Sequence, residues 1–154
     1  MSGLSSEYND LGQMVALARK SSNHRNWSIS DVMRLFWPPI IKRQYRIFKA
    51  KEYKTSESLP DGNIPIGFVT WACMDAESID AYVNKTRKLR PSDYDSGDQV
   101  WVIDFVAPHG GVVSMVKDMQ TELTIRYPDQ TIGRWIRNNM RPDRRLGYGK
   151  RTEI

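Results

Sequence analysis

At 154 residues and 40% hydrophobic, the chain carries enough apolar material for one compact core and too little for two. Its longest apolar run, IPIGFVTWACM at 64–74, is broken by Pro, Gly and Thr. It falls short of the ~20 residues that span a bilayer, so no membrane span is expected. A formal charge of +5 and a pI near 9.4 exclude an acidic, self-solvating chain.

The polar start MSGLSSEYNDLGQ lacks the basic stretch and apolar run of a secretory leader, which leads us to expect a cytoplasmic protein. Between 8 and 19, Leu11, Met14, Val15 and Ala18 recur at helical steps, and Ser21, Ser22 and Asn23 then break the period. Ser28 with Asp31 three residues on has the form of a capping start for a second helix through Val32, Leu35 and Phe36. Pro38 and Pro39 are expected to interrupt it, with one more turn over 40–43. QYRIFKA reads as a strand, Tyr45, Ile47 and Lys49 alternating against Arg46 and Phe48, and KEYKTSESLPDGN as loop.

IPIGFVTWACM is β-branched and aromatic enough for a largely buried strand. Asp75 then opens a helix through Ile79, Tyr82 and Val83, and the polar stretch 85–98 reads as a long surface connection. QVWVIDFVA is apolar on both faces, as a central strand would be. After Gly110 and Gly111, the residues Val112, Met115, Val116, Met119 and Leu123 form one helical stripe that Tyr127-Pro128 ends. TIGRWIR reads as a last strand before a basic tail, and after residue 133 Arg134, Arg137, Arg141, Arg144, Arg145, Lys150 and Arg151 face only Asp143 and Glu153. Helices, two strands, helix, strand, helix, strand make a mixed α/β arrangement around a central sheet.

The candidate chemistry rests on few residues. His24 and His109 are the chain's two imidazoles, the natural bases near neutral pH. Asp104 shares its strand face with Val100, Val102 and Val106, and a lone carboxylate in a dry strand costs several kcal/mol unless it is paired. It is either a structural carboxylate held by backbone or an arginine, or the partner of a histidine, fixing its tautomer and stabilising the imidazolium. Cys73, the single cysteine, sits in a buried-looking strand as a small hydrophobe, with a thiol nucleophile as the alternative. The APHGG turn has the look of a phosphate cradle but is a weak motif, and isolated histidines offer no spaced metal ligands.

HRNW (24–27), the Pro-Pro-Ile turn with QY (38–45), IPIGFVTWA (64–72), SGDQVWVIDFVAPHG (96–110) and RYPD (126–129) occur in the order and spacing of the toxin-activating lysine acyltransferases. The chain resembles that family from about residue 11 to 137. The resemblance implies a GNAT-like fold, a mixed central sheet flanked by helices in a single domain over 1–154, with a basic tail from about 138. It implies a cytoplasmic, dimeric enzyme that moves a fatty acyl group from acyl carrier protein to internal lysines of an RTX protoxin. It places the catalytic histidine at His24, the catalytic aspartate at Asp104 and a supporting, substrate-binding serine at Ser21.

A base suits that reaction, because a lysine amine is neutral about once in 10³ to 10⁴ molecules at pH 7, a handicap of roughly 4.6 kcal/mol. A thioester supplies its own leaving group, so no cofactor is expected. Direct attack by lysine and prior acylation of His24 both remain open. Three departures stand out: VALAR in the first helix where aromatics are usual, APHG in place of APFG, and no Q/R-x-x-G-x-G/A signature after Val106. APHG makes His109 a second candidate base. Two alternatives carry their own expectations: a basic nucleic-acid-binding module, from the charge and the aromatics among arginines, and an acyltransferase that uses acyl-CoA.

Overall fold

The computed structural model describes residues 4–55, 62–129, 134–136 and 146–148. The elements run α1 (Leu4–Ala18), α2 (Ile29–Ile41), β1 (Tyr45–Lys49), β2 (Pro65–Met74), α3 (Ala76–Asn84), β3 (Gln99–Val106), α4 (Val112–Arg126), β4 (Arg134–Ile136) and β5 (Leu146–Tyr148). Single 3₁₀ turns lie at Ala50–Glu52 and Pro91–Tyr94. β1 and β2 pair antiparallel, β3 and β4 parallel, and β4 and β5 antiparallel, so the arrangement is mixed α/β as expected. Within the stretch expected as a basic tail, Leu146–Tyr148 form β5, and the rest of that stretch lies outside the described residues. The chain divides into two compact units, residues 1–70 with 104–116 and residues 71–103 with 117–154.

The first unit holds α1, α2, β1, the start of β2 and the end of β3. Met14, Leu17, Ala18, Phe36, Ile40, Phe68 and Val106 form its core, with Leu11, Trp27, Val32, Leu35, Tyr45 and Ile47 packed against it. The face of α1 is rotated from the expected one: Leu17 is buried and Val15 is exposed. Leu17 lies three residues past Met14 and so on the same stripe, whereas Val15 is displaced by one 100° step. Ser28 caps α2, its Oγ accepting from the Asp31 N–H at 3.1 Å.

The prolines do not interrupt that helix. α2 runs through Pro38 and Pro39, then Lys42 and Gln44 donate to the Pro38 and Pro39 carbonyls before Arg43, at φ 57°, turns the chain away. Each proline removes one helical hydrogen bond, and burial of Phe36, Pro38, Pro39 and Ile40 offsets the loss. In β1 both faces are used. Tyr45 and Ile47 meet the helical core, and fully buried Phe48 stands edge-on to Tyr53 at 5.4 Å and beside Phe105 at 6.0 Å. Gly67 lets β2 approach closely: a Cβ there would lie 2.9 Å from the Val106 carbonyl and 3.0 Å from Met115 Sδ.

The second unit holds the remainder of β2 and β3 with α3, most of α4, β4 and β5. Trp71, Met74, Tyr94, Val100, Trp101, Met119 and Leu123 are buried. The stripe expected on α4 begins a turn late, with Val112 exposed and Met115, Met119 and Leu123 buried. Asp75 caps α3 by accepting from the Ser78 N–H at 2.8 Å, and this bond holds its carboxyl below the ordinary range.

The polar stretch 85–98 is more ordered than a surface connection, because Leu89, Asp93 and Tyr94 are buried. Asp93 accepts two bonds from the Arg87 guanidinium, at 2.6 and 2.8 Å, one from the Arg90 N–H and one from Ser78 Oγ. The guanidinium first, then the backbone bond, keeps that carboxyl well below the usual carboxylate range. Four donors around one carboxylate organise a loop that has no hydrophobic period to betray it.

Candidate active site

The site is assembled in the first unit from the α1–α2 turn and the end of β3. After α1 the chain folds tightly: the His24 and Arg25 amides both donate to the Ser21 carbonyl, at 3.1 and 2.9 Å, and the Trp27 amide to the His24 carbonyl at 3.0 Å. This turn sets Ser21 Oγ 2.7 Å from His24 Nδ1. On the other side of the ring, His24 Nε2 meets Asp104 Oδ1 at 2.9 Å. The two side chains are 8% and 9% exposed, so the pair is shielded from water yet open at its edge.

Aromatic rings fix the imidazole. Trp27 lies 4.4 Å from it, Phe36 6.5 Å, and Phe68 stands edge-on to Phe36 at 5.2 Å. Asp104 is held through its own backbone, its N–H donating to Thr70 Oγ1 at 3.2 Å. Its Oδ2 is buried and, among the described residues, has no hydrogen-bond partner.

These contacts determine the tautomer. A carboxylate oxygen accepts, so Nε2 carries the hydrogen that points at Asp104, and the lone pair of the neutral ring lies on Nδ1. That lone pair receives the Ser21 hydroxyl. Hydroxyl, imidazole and carboxylate therefore form one hydrogen-bonded chain, the arrangement that moves a proton away from a nucleophile and stabilises the cation that results.

The sequence profile of the RTX toxin acyltransferase family matches residues 5–145. The chain belongs to that family. It is 36% identical over 134 residues to the RTX-II toxin-activating lysine-acyltransferase of Actinobacillus pleuropneumoniae, which covers 87% of this chain and 74% of that relative. It is 32% identical over 127 residues to the leukotoxin-activating lysine-acyltransferase, serotype A1, of Mannheimia haemolytica, covering 82% and 67%. To the protein-lysine myristoyltransferase of Escherichia coli it is 28% identical over 144 residues, covering 94% and 73%. Membership in an acyltransferase family makes the chain an acyltransferase, a reading the nucleic-acid alternative does not share.

As an acyltransferase of this family, the chain brings His24, Asp104 and Ser21 together, the three residues that the sequence motifs single out. His109 lies apart from that chain of contacts; it is buried in the β3–α4 turn with Nε2 3.3 Å from Lys20 Nζ. Gly110 and Gly111 take φ values of 87° and 80° there, a left-handed pair that turns β3 into α4. Cys73 belongs to the second unit, where burial pushes its thiol up despite a hydrogen bond with Tyr127; a protonated thiol is a poor nucleophile. Thr70 and the rings of Phe36 and Phe68 are supports that the sequence reading did not single out. The signal for Thr70 was present: a hydroxyl inside a strand buried along nearly its whole length. No described helix is long and apolar enough to cross a membrane.

Proposed function

We propose that this chain is a protein-lysine fatty acyltransferase that takes an acyl group from acyl carrier protein and places it on internal lysines of an RTX protoxin. The observation that carries this reading is the Ser21–His24–Asp104 hydrogen-bonded chain in a member of the RTX toxin acyltransferase family. Asp104 keeps the Nε2 hydrogen in place, so His24 Nδ1 is the basic atom. The acceptor ammonium gives a proton to Nδ1 through the Ser21 hydroxyl, which donates its own proton as it takes the new one. The neutral amine then attacks the thioester carbonyl. A C–N bond forms, the C–S bond breaks, and the imidazolium returns a proton to the departing thiolate while the amine's second proton leaves to solvent.

The short Ser21–His24 contact favours a second route over attack by His24 itself. Ser21 Oγ, deprotonated by Nδ1, takes the acyl group as an ester before lysine arrives. Relatives named as protein-lysine myristoyltransferases and as toxin-activating enzymes support the choice of acceptor and of a long acyl chain.

The test is transfer from a myristoyl-carrier thioester to protoxin by the purified chain. His24→Ala and Asp104→Asn are each expected to slow it by about 10² or more. Undiminished modification by both variants removes this site. An acyl-enzyme that hydroxylamine cleaves, and that Ser21→Ala does not form, selects the ester route over direct attack.

A further inference from the structure

Lys20 and His109 stand outside the chemistry derived so far, and both are set up for the same chemistry. Lys20 directly precedes Ser21 in the α1–α2 turn, its amide donating to the Leu17 carbonyl as that of Ser21 donates to Ala18. Its Nζ lies 3.3 Å from Nε2 of His109, a ring only 4% exposed. His109 follows Asp104 by five residues, past the end of β3. Two consecutive residues of the turn thus each set a nucleophilic atom against an imidazole nitrogen: Ser21 Oγ against His24 and Lys20 Nζ against His109.

An ammonium has three donors and no acceptor, so in this contact Nε2 accepts and the neutral ring carries its hydrogen on Nδ1. The path for removing the proton that makes lysine unreactive at pH 7 is therefore already in place. We propose that Lys20 is itself an acylation site, modified by the enzyme's own acyl donor with His109 as the local base. This rests on the thioester donor proposed above.

The step balances without a further reactant. Lys20 Nζ gives one proton to His109 Nε2 and attacks the thioester carbonyl carbon. The C–N bond forms and the C–S bond breaks, the second amine proton passes to the thiolate, and His109 returns its proton to solvent. The product is an amide on Lys20, which removes that side chain's charge and its bond to His109. Because the modified residue adjoins Ser21, the acyl chain stays beside the site that transfers it.

The experiment incubates the full chain with myristoyl-acyl carrier protein, with and without protoxin, then treats it with hydroxylamine and maps acylated peptides by mass spectrometry. One hydroxylamine-stable myristoyl group on Lys20 is expected, absent in Lys20→Arg. Its formation should slow about tenfold or more in His109→Phe and in His109→Gln. Gln retains a hydrogen-bond acceptor but takes no proton, and so separates loss of the base from loss of the contact. If protoxin is acylated while Lys20 carries no stable adduct, or if the adduct forms as fast in His109→Gln, the proposal is overturned on its own. If the wild type acylates neither protoxin nor itself, the proposed function fails and this inference with it.

Discussion

At Asp104, a carboxylate on a buried strand face meets an imidazole from eighty residues earlier in the chain, and each answers the other's cost. The carboxylate fixes the ring's hydrogen on Nε2, and the ring supplies the one donor that a dry strand face does not. Asp104→Asn keeps the shape but removes the charge that stabilises the imidazolium. It should lower the maximal transfer rate by about 10² to 10⁴ while acceptor KM changes little, measured by steady-state kinetics on protoxin. Asp93 offers a second residue-scale prediction, about stability. Its folded pKa is depressed, so its contribution is present above the unfolded value of about 4 and is lost as pH falls below it. Denaturant unfolding between pH 7 and pH 2 should show Asp93→Asn less stable at pH 7, by about 2–4 kcal/mol, with a flatter fall in acid. An equal fall in both proteins contradicts the Arg87–Asp93 assignment. His24 and Asp104 were legible as candidate site residues because their motifs fix residue type and spacing. The Asp93 network was not, since its four donors come from Ser78, Arg87 and Arg90, and no local pattern marks such a convergence.

Elements were legible wherever local chemistry and burial agree. The Ser28 cap of α2 and the Asp75 cap of α3 stand where short polar side chains precede a helical period, and Ser28→Ala should cost about 1 kcal/mol of stability by thermal unfolding. The Pro38-Pro39 pair shows the limit of local rules. Proline's cost is intrinsic, whereas the burial that outweighs it depends on where α2 lands in the first unit. Phe36 carries much of that burial, fully enclosed between Trp27, His24 and Phe68. Phe36→Ala should destabilise by about 3–5 kcal/mol and loosen the wall behind the imidazole, so activity should fall before the protein unfolds on heating. A loss of stability with full activity up to the unfolding temperature contradicts that link between packing and chemistry.

For the whole molecule, a charge of +5 sets a long-range preference for acidic partners, which suits an acidic carrier as acyl donor. KM for the carrier-bound donor should therefore rise as salt is raised from about 50 to 300 mM, while a carrier-free acyl-pantetheine donor should respond little. The sequence supplied the sign of that preference and gathers the excess positive charge late in the chain, and much of that stretch lies outside the described residues. The mixed α/β order of elements was readable from periodicity; the meeting of His24 with Asp104 was expected from the family resemblance and not from periodicity, since a contact across eighty residues depends on how β3 comes to lie beside the α1–α2 turn. The most direct measurement is the initial rate of acyl transfer from carrier thioester to protoxin by wild type and His24→Ala, each checked for folding by circular dichroism. A folded His24→Ala protein slower by about 10² or more is the predicted result. A folded variant that transfers at the wild-type rate contradicts a base at His24.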